Sequence, residues 1–145
     1  MKLSTRTRYG IRALLELAEN PNGGPLQIKT IAQRQDISVK YLEQLIGILK
    51  SAGFVRSIRG SKGGYLLAKA AKQIRLSDVF NALEGPSAIT VECLENKSYC
   101  VRAADCAVRG VWAQLQEAIM NVLGSITLQD LVDKAEKNRM LYYQI

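Results

Sequence analysis

Cys93, Cys100 and Cys106 are the only cysteines in the 145-residue chain, separated by six and then five residues, and the chain contains no histidine. Thiolates are soft ligands, and three of them on one short stretch suit a soft metal, iron–sulfur clusters above all. The gaps are too wide for a zinc knuckle built from C-x2-4-C pairs. The absence of histidine removes every histidine-containing zinc site, together with Ser-His and Cys-His nucleophile pairs. Cys106 falls at the expected start of a long helix, where unpaired N–H groups stabilise a thiolate. The plainer reading is three partly buried small apolar side chains, or a thiol pair that oxidises. A thiol-dependent oxidoreductase is a remote alternative, because there is no C-x-x-C, no dinucleotide fingerprint and no general-base histidine. The residues therefore point away from an enzyme.

A second set of residues could read nucleic acid. Over residues 38–50, Leu42, Leu45, Ile46 and Leu49 share one helical face, and Lys40, Glu43, Gln44, Gly47 and Lys50 lie opposite. Glu43 can accept from the cytosine amino group, Gln44 can pair with both adenine edge atoms, and Lys40 can reach guanine or a phosphate. Taken alone, such a face is more often merely solvated. The next segment changes the balance: Arg59-Gly60-Ser61-Lys62-Gly63-Gly64 is a basic, glycine-rich turn between two short apolar stretches. Directly after a helix-turn-helix, such a hairpin is the wing of a winged helix, with Arg59 and Lys62 placed to enter the minor groove or track phosphates. A nucleotide-binding phosphate loop is excluded, because it needs GxxxxGK and then Ser or Thr between a strand and a helix.

The elements that must position these residues can be read from periodicity. Apolar residues at three and four predict helices over 5–19 and 27–35, a tight turn at Asp36-Ile37-Ser38, and a third helix that Ser38 caps. Strands are predicted at 54–58 and 65–68. Ser77 is read as the cap of a helix over 78–84, stopped by a left-handed Gly85. Beyond the cysteine loop, Val108, Val111, Trp112, Leu115, Ile119, Val122 and Leu123 form an apolar stripe on a long helix, and that stripe needs a partner. Thr127 with Asp130 is a variant capping box for a last helix over 128–137, and 138–145 carries no clear signal. The expected fold is mainly α with a small β-hairpin: a winged helix-turn-helix over 1–85, a cysteine loop over 86–107, a dimerisation and C-terminal helix pair over 108–137, and a tail.

Composition agrees with this layout. Hydrophobic residues make up 48% and charged residues 23%, the balance of an ordinary globular domain rather than a disordered chain. Fourteen basic and six acidic residues lie at or before Gly85, against six and seven beyond it, so the positive charge belongs to the part read as DNA-binding. The apolar run starting at Ile11 is broken by Arg12 and Glu16, which excludes a signal-peptide core or membrane span. An odd cysteine count does not match a secreted disulfide framework, and a cytoplasmic location is expected.

On several of these residues the chain resembles the IscR-like iron–sulfur cluster regulators, a family of winged-helix transcription regulators that includes nitric-oxide-sensing and cysteine-metabolism repressors. The resemblance rests on Met1-Lys2-Leu3-Ser4-Thr5 with Arg8-Tyr9, on Tyr41-Leu42-Glu43-Gln44-Leu45, on the wing from Arg59 to Leu67, and on the segment from Cys106 through Trp112 to Ile126-Thr127-Leu128. It implies DNA contacts from Ser38, Lys40, Tyr41, Glu43, Gln44, Arg59, Gly60 and Lys62, on a pseudo-palindromic operator. It also implies a homodimer on the long helix through Val108, Val111, Trp112, Leu115 and Ile119, and a cluster, 2Fe–2S in preference to 4Fe–4S, on Cys93, Cys100 and Cys106. The chain departs from the family at the fourth ligand. Cluster-binding relatives often place a histidine three residues after the third cysteine, where Arg109 stands here, or borrow an acid from the partner's first helix, where the matching position is Arg8. Asp105, Glu92, Glu95 or a small exogenous molecule is left for that role. The alternative is a cluster-free regulator of the same fold that senses a metabolite or thiol oxidation.

Overall fold

The computed structural model describes residues 2–85, 89 and 91–144. Ser4 opens the first helix, α1 (Thr5–Ala18), its hydroxyl accepting from the Thr7 N–H, and the buried face of α1 is Ala13, Leu14 and Leu17. α2 (Ile28–Gln35) ends at Asp36, which adopts the left-handed conformation at φ 51° that a short polar side chain tolerates. Ser38 then caps α3 (Val39–Ser51), accepting from the Tyr41 N–H at 3.1 Å. The predicted tight turn is therefore present, and Arg34 and Gln35 of α2 fasten it to α1 by bonding Glu16.

β1 (Val55–Ile58) and β2 (Gly64–Leu67) pair antiparallel, Val55 opposite Leu67 and Ile58 opposite Gly64. Leu26 and Tyr65 exchange backbone bonds of 3.0 and 2.8 Å, which ties the hairpin to the chain just before α2. That contact needs Gly64: a Cβ there would lie 2.4 Å from the Leu26 carbonyl oxygen.

α4 (Leu76–Glu84) differs from expectation at both ends. Ser77 does not cap it; Ser77 is buried inside the helix and Arg75 occupies the cap position. The helix starts early because residues 74–76 are already held: Leu76 N–H donates to Ile126 O at 3.0 Å, and Leu128 N–H donates to Ile74 O at 2.8 Å. Gly85 does have positive φ (85°), but its ψ of 163° lies outside the left-handed helical region, so it is not the left-handed helical cap expected from the sequence.

α5 (Ala107–Ser125) carries Cys106 at its amino cap, as predicted, and α6 (Leu128–Tyr143) begins with the reciprocal Thr127–Asp130 capping box. α6 does not stop at Lys137; it continues to Tyr143 with an exposed surface, which is why apolar periodicity gave no sign of it. One core holds the head together, with Leu14, Ile31, Leu42, Leu45, Leu49, Ile74, Val79, Leu83 and Leu128 all essentially inaccessible to solvent. Leu128 brings the start of α6 into that core, so the base of α5 and α6 is fixed to the head.

Candidate nucleic-acid interface and cysteine segment

Burial of Leu42, Leu45, Ile46 and Leu49 fixes the rotation of α3, and Lys40, Glu43, Gln44 and Lys50 consequently face solvent. Tyr41 sits at the edge of this face. Its ring meets Tyr9 edge-on with centroids 6.3 Å apart, and its hydroxyl donates to Thr5 Oγ1 at 3.2 Å. Tyr41 thus braces α3 against α1 as well as bordering the reading face. In the wing, Arg59, Gly60 and Lys62 are exposed, and Gly60 takes φ 109°, which a side-chain-bearing residue would resist. Lys50 Nζ donates to Ser57 Oγ at 2.9 Å, linking the end of α3 to the hairpin. The helix and wing residues read from the sequence are thus exposed, and Lys50 joins the end of α3 to the hairpin that carries the wing.

A polar hub beside α3 has no local sequence signal. Glu84 Oε1, at the end of α4, accepts from the hydroxyls of Ser4 and Thr7, and Arg6 donates to the neighbouring Leu83 carbonyl at 3.1 Å. Burial pushes the Glu84 carboxyl up. The Ser4 and Thr7 hydroxyls, the Arg6 charge and the Thr7 N–H outweigh it and hold the group below the usual glutamate range. Glu84 lines the polar cleft that also contains Thr5, Arg6, Tyr41 and Gln44. These partners are separated by about eighty positions along the chain, so only the folded packing of α1 on α4 reveals them.

The cysteine segment is built of short 3-10 turns. Cys93 lies in the turn Glu92–Leu94 and is half-buried; Cys100 comes just after the turn Lys97–Tyr99 and is exposed; Cys106 is exposed at the cap of α5. All three thiols are free. Arg109 does what the sequence did not suggest: its Nε donates to the Cys93 carbonyl at 3.2 Å and its Nη2 to the Leu94 carbonyl at 3.3 Å, pinning the first turn of the segment to the first turn of α5. Among the described residues, no three Cys, Asp or Glu side chains are gathered into a group that could hold a metal ion, and this includes Asp105, Glu92 and Glu95. The donor types suit a cluster; their arrangement in the single chain does not assemble one.

Among its described residues, α5 has none that is buried. Val108, Val111, Trp112 and Leu115 are between 37 and 56% exposed, while Ile119 is half-buried.

A helix-turn-helix with polar reading residues, continued directly by a basic wing, defines a winged helix-turn-helix DNA-binding protein. Over residues 3–134 the chain matches the Rrf2 family, described as iron-dependent transcriptional regulators, and it belongs to that family. It is 47% identical to the protein rrf2 of Nitratidesulfovibrio vulgaris over 135 residues, covering 93% of this chain and 89% of that one. Its fold is similar to CymR, the global cysteine regulator of B. subtilis, with a TM-score of 0.75, 40% identity and coverage of 92% and 98%. It is equally similar to T. potens IscR, with a TM-score of 0.75, 37% identity and coverage of 95% and 90%. The chain is a transcriptional regulator, and the resemblance read from its sequence falls inside this family. Among the described residues, no helix is long and apolar enough to cross a membrane.

Proposed function

We propose that the protein is a cytoplasmic, non-enzymatic regulator that binds a pseudo-palindromic operator as a homodimer and adjusts its affinity through the segment 93–106. The observation that carries this reading is the joint exposure of Lys40, Glu43 and Gln44 on α3 and of Arg59 and Lys62 in the wing that follows it, on a head built around one buried core. Each α3 enters the major groove of one half-site, and each wing lies along the adjacent minor groove. The uncovered apolar side of α5 supplies the dimer contact, and two heads then span half-sites about 34 Å apart or a multiple of that.

Cys93, Cys100 and Cys106 would hold an iron–sulfur cluster, which when bound supplies a group that reacts with oxygen, nitric oxide or small thiols. The preference for 2Fe–2S over 4Fe–4S comes from the family resemblance, since three thiols with one non-cysteine ligand can hold either form. The segment must close around such a group, and Arg109 already holds its first turn against α5. A second reading has its own support. The thiols are exposed or half-buried and not gathered, and the fold is similar to a cysteine regulator as well as to IscR, so direct thiol oxidation or a metabolite could act on the same segment without a cluster. Anaerobic purification with a visible spectrum and assays for iron and sulfide separates the two. A brown protein with stoichiometric iron and sulfide supports the cluster; a colourless, iron-free protein after anaerobic reconstitution leaves the thiol or metabolite reading.

A further inference from the structure

α5 carries no basic residue in its own last turn, so the negative end of its dipole finds no opposite charge within the helix. The charge comes from the head. Arg75, at the cap position of α4, donates from Nη1 to the Gly124 carbonyl at 2.6 Å, across 49 positions of chain. On either side of Arg75 the backbone is stitched to the corner between α5 and α6. Leu76 N–H donates to Ile126 O, Leu128 N–H donates to Ile74 O, and Arg75 lies opposite Thr127. Ile74 and Leu128 are fully buried, which anchors both sides of this joint in the core.

The backbone bonds of the joint hold residues beyond the end of α5: Ile126 follows the helix and Leu128 starts the next one. They fix the corner and leave the axis of α5 to other contacts. Near this end α4 and α5 meet through Ser77 and Gly124, where a Cβ on the glycine would stand 3.6 Å from Ser77 Oγ. Residues this small make no ridge to lock into a groove. Arg75 is exposed and its side chain does not cap α4. Its hydrogen bond instead reaches into the last turn of α5 itself, the one place at this corner where the head grips that helix by a charged side chain.

Resting on the homodimer proposed above, we infer that Arg75 is a positioning residue for operator recognition. Its guanidinium fixes the tilt of α5 against the head and so sets the half-site separation at which both recognition helices fit at once. It acts through α3, without touching a base itself. In a two-fold dimer joined through α5, any change of that tilt is repeated in both chains and alters the separation and relative rotation of the two heads. DNA gauges the result finely, because one added base pair moves a half-site by about 3.4 Å along the helix and roughly 35° around it.

The test uses the full-length protein and duplexes that carry the same two half-sites at separations stepped by one base pair, taken from an operator that wild type selects out of a random pool. Wild type should prefer one separation over its neighbours by about tenfold or more, and Arg75→Ala should reduce that preference to about threefold or less. Discrimination between bases within each half-site and the salt slope should stay as in wild type, which separates a lost tilt from a lost DNA contact. Arg75→Met keeps most of the aliphatic stem and removes the donor; it should give the same result, and it decides the matter if circular dichroism shows the alanine variant misfolded. A preference that survives both substitutions overturns the assignment. So does a uniform loss at every separation with a salt slope shallower by about one unit, which would make Arg75 a phosphate contact. A dimeric wild type that is indifferent to separation also overturns it and leaves the homodimer standing, whereas a wild type that is monomeric in sedimentation removes both.

Discussion

Glu43 on α3 and Lys62 on the wing are both exposed, and in the proposed complex they would meet different parts of DNA, so single substitutions should separate them. Glu43 can address only a base edge, so Glu43→Ala should cost roughly 1–3 kcal/mol of discrimination at one base pair, measured by binding to a panel of single-base operator variants. Lys62 offers a point charge on the wing, so Lys62→Ala should weaken every sequence alike and reduce the salt slope by about one unit. Uniform loss from both would take base reading away from α3. Glu84 makes a different kind of contribution. Its carboxyl titrates below the ordinary glutamate value in the fold because Ser4, Thr7 and Arg6 favour the charged form over the opposing effect of burial. The stability it adds is complete above the unfolded-state value and lost as pH falls through the folded one. Thermal unfolding monitored from about pH 7 to about pH 3 should therefore show a shallower acid decline for Glu84→Gln than for wild type. An unchanged slope would mean that the Ser4–Thr7–Glu84 contacts do not hold the charged form in solution.

At the level of elements, the features legible in the sequence were those that depend on neighbours a few residues away. The face of α3, its Ser38 cap, the Cys106 cap of α5 and the Thr127–Asp130 box could all be read because period and capping are local. Ser77 was misread because the signal that starts α4 comes from Ile126, about fifty positions downstream. The end of α6 was missed because its last turns bury nothing, and Arg109 was seen only as a missing ligand because its bonds to Cys93 and Leu94 need the folded loop. The hairpin's attachment to Leu26 was equally invisible, although the glycines that permit it were plain. It yields a direct test: Gly64→Ala would push a methyl against the Leu26 carbonyl and should destabilise the head by about 1–3 kcal/mol in urea unfolding. If stability is unchanged, the wing is not clamped there.

For the whole molecule, the head is built around one buried core while the first half of α5 leaves Val108, Val111, Trp112 and Leu115 exposed, the face on which the proposed homodimer would form. Leu115→Glu should produce monomers in sedimentation and abolish tight operator binding while the head keeps its helical signal; a mutant that stays dimeric would place the interface elsewhere. In the proposed function, DNA affinity is set by segment 93–106, which lies between the reading head and α5. The most direct test of this reading is operator affinity by fluorescence anisotropy, for wild type and for Cys93→Ala, Cys100→Ala, Cys106→Ala combined in one chain, each prepared anaerobically and again after exposure to air. Wild type should change affinity about tenfold or more between the two conditions, and the triple variant should bind alike in both. Equal wild-type affinity before and after exposure, or a triple variant that still responds, would contradict it.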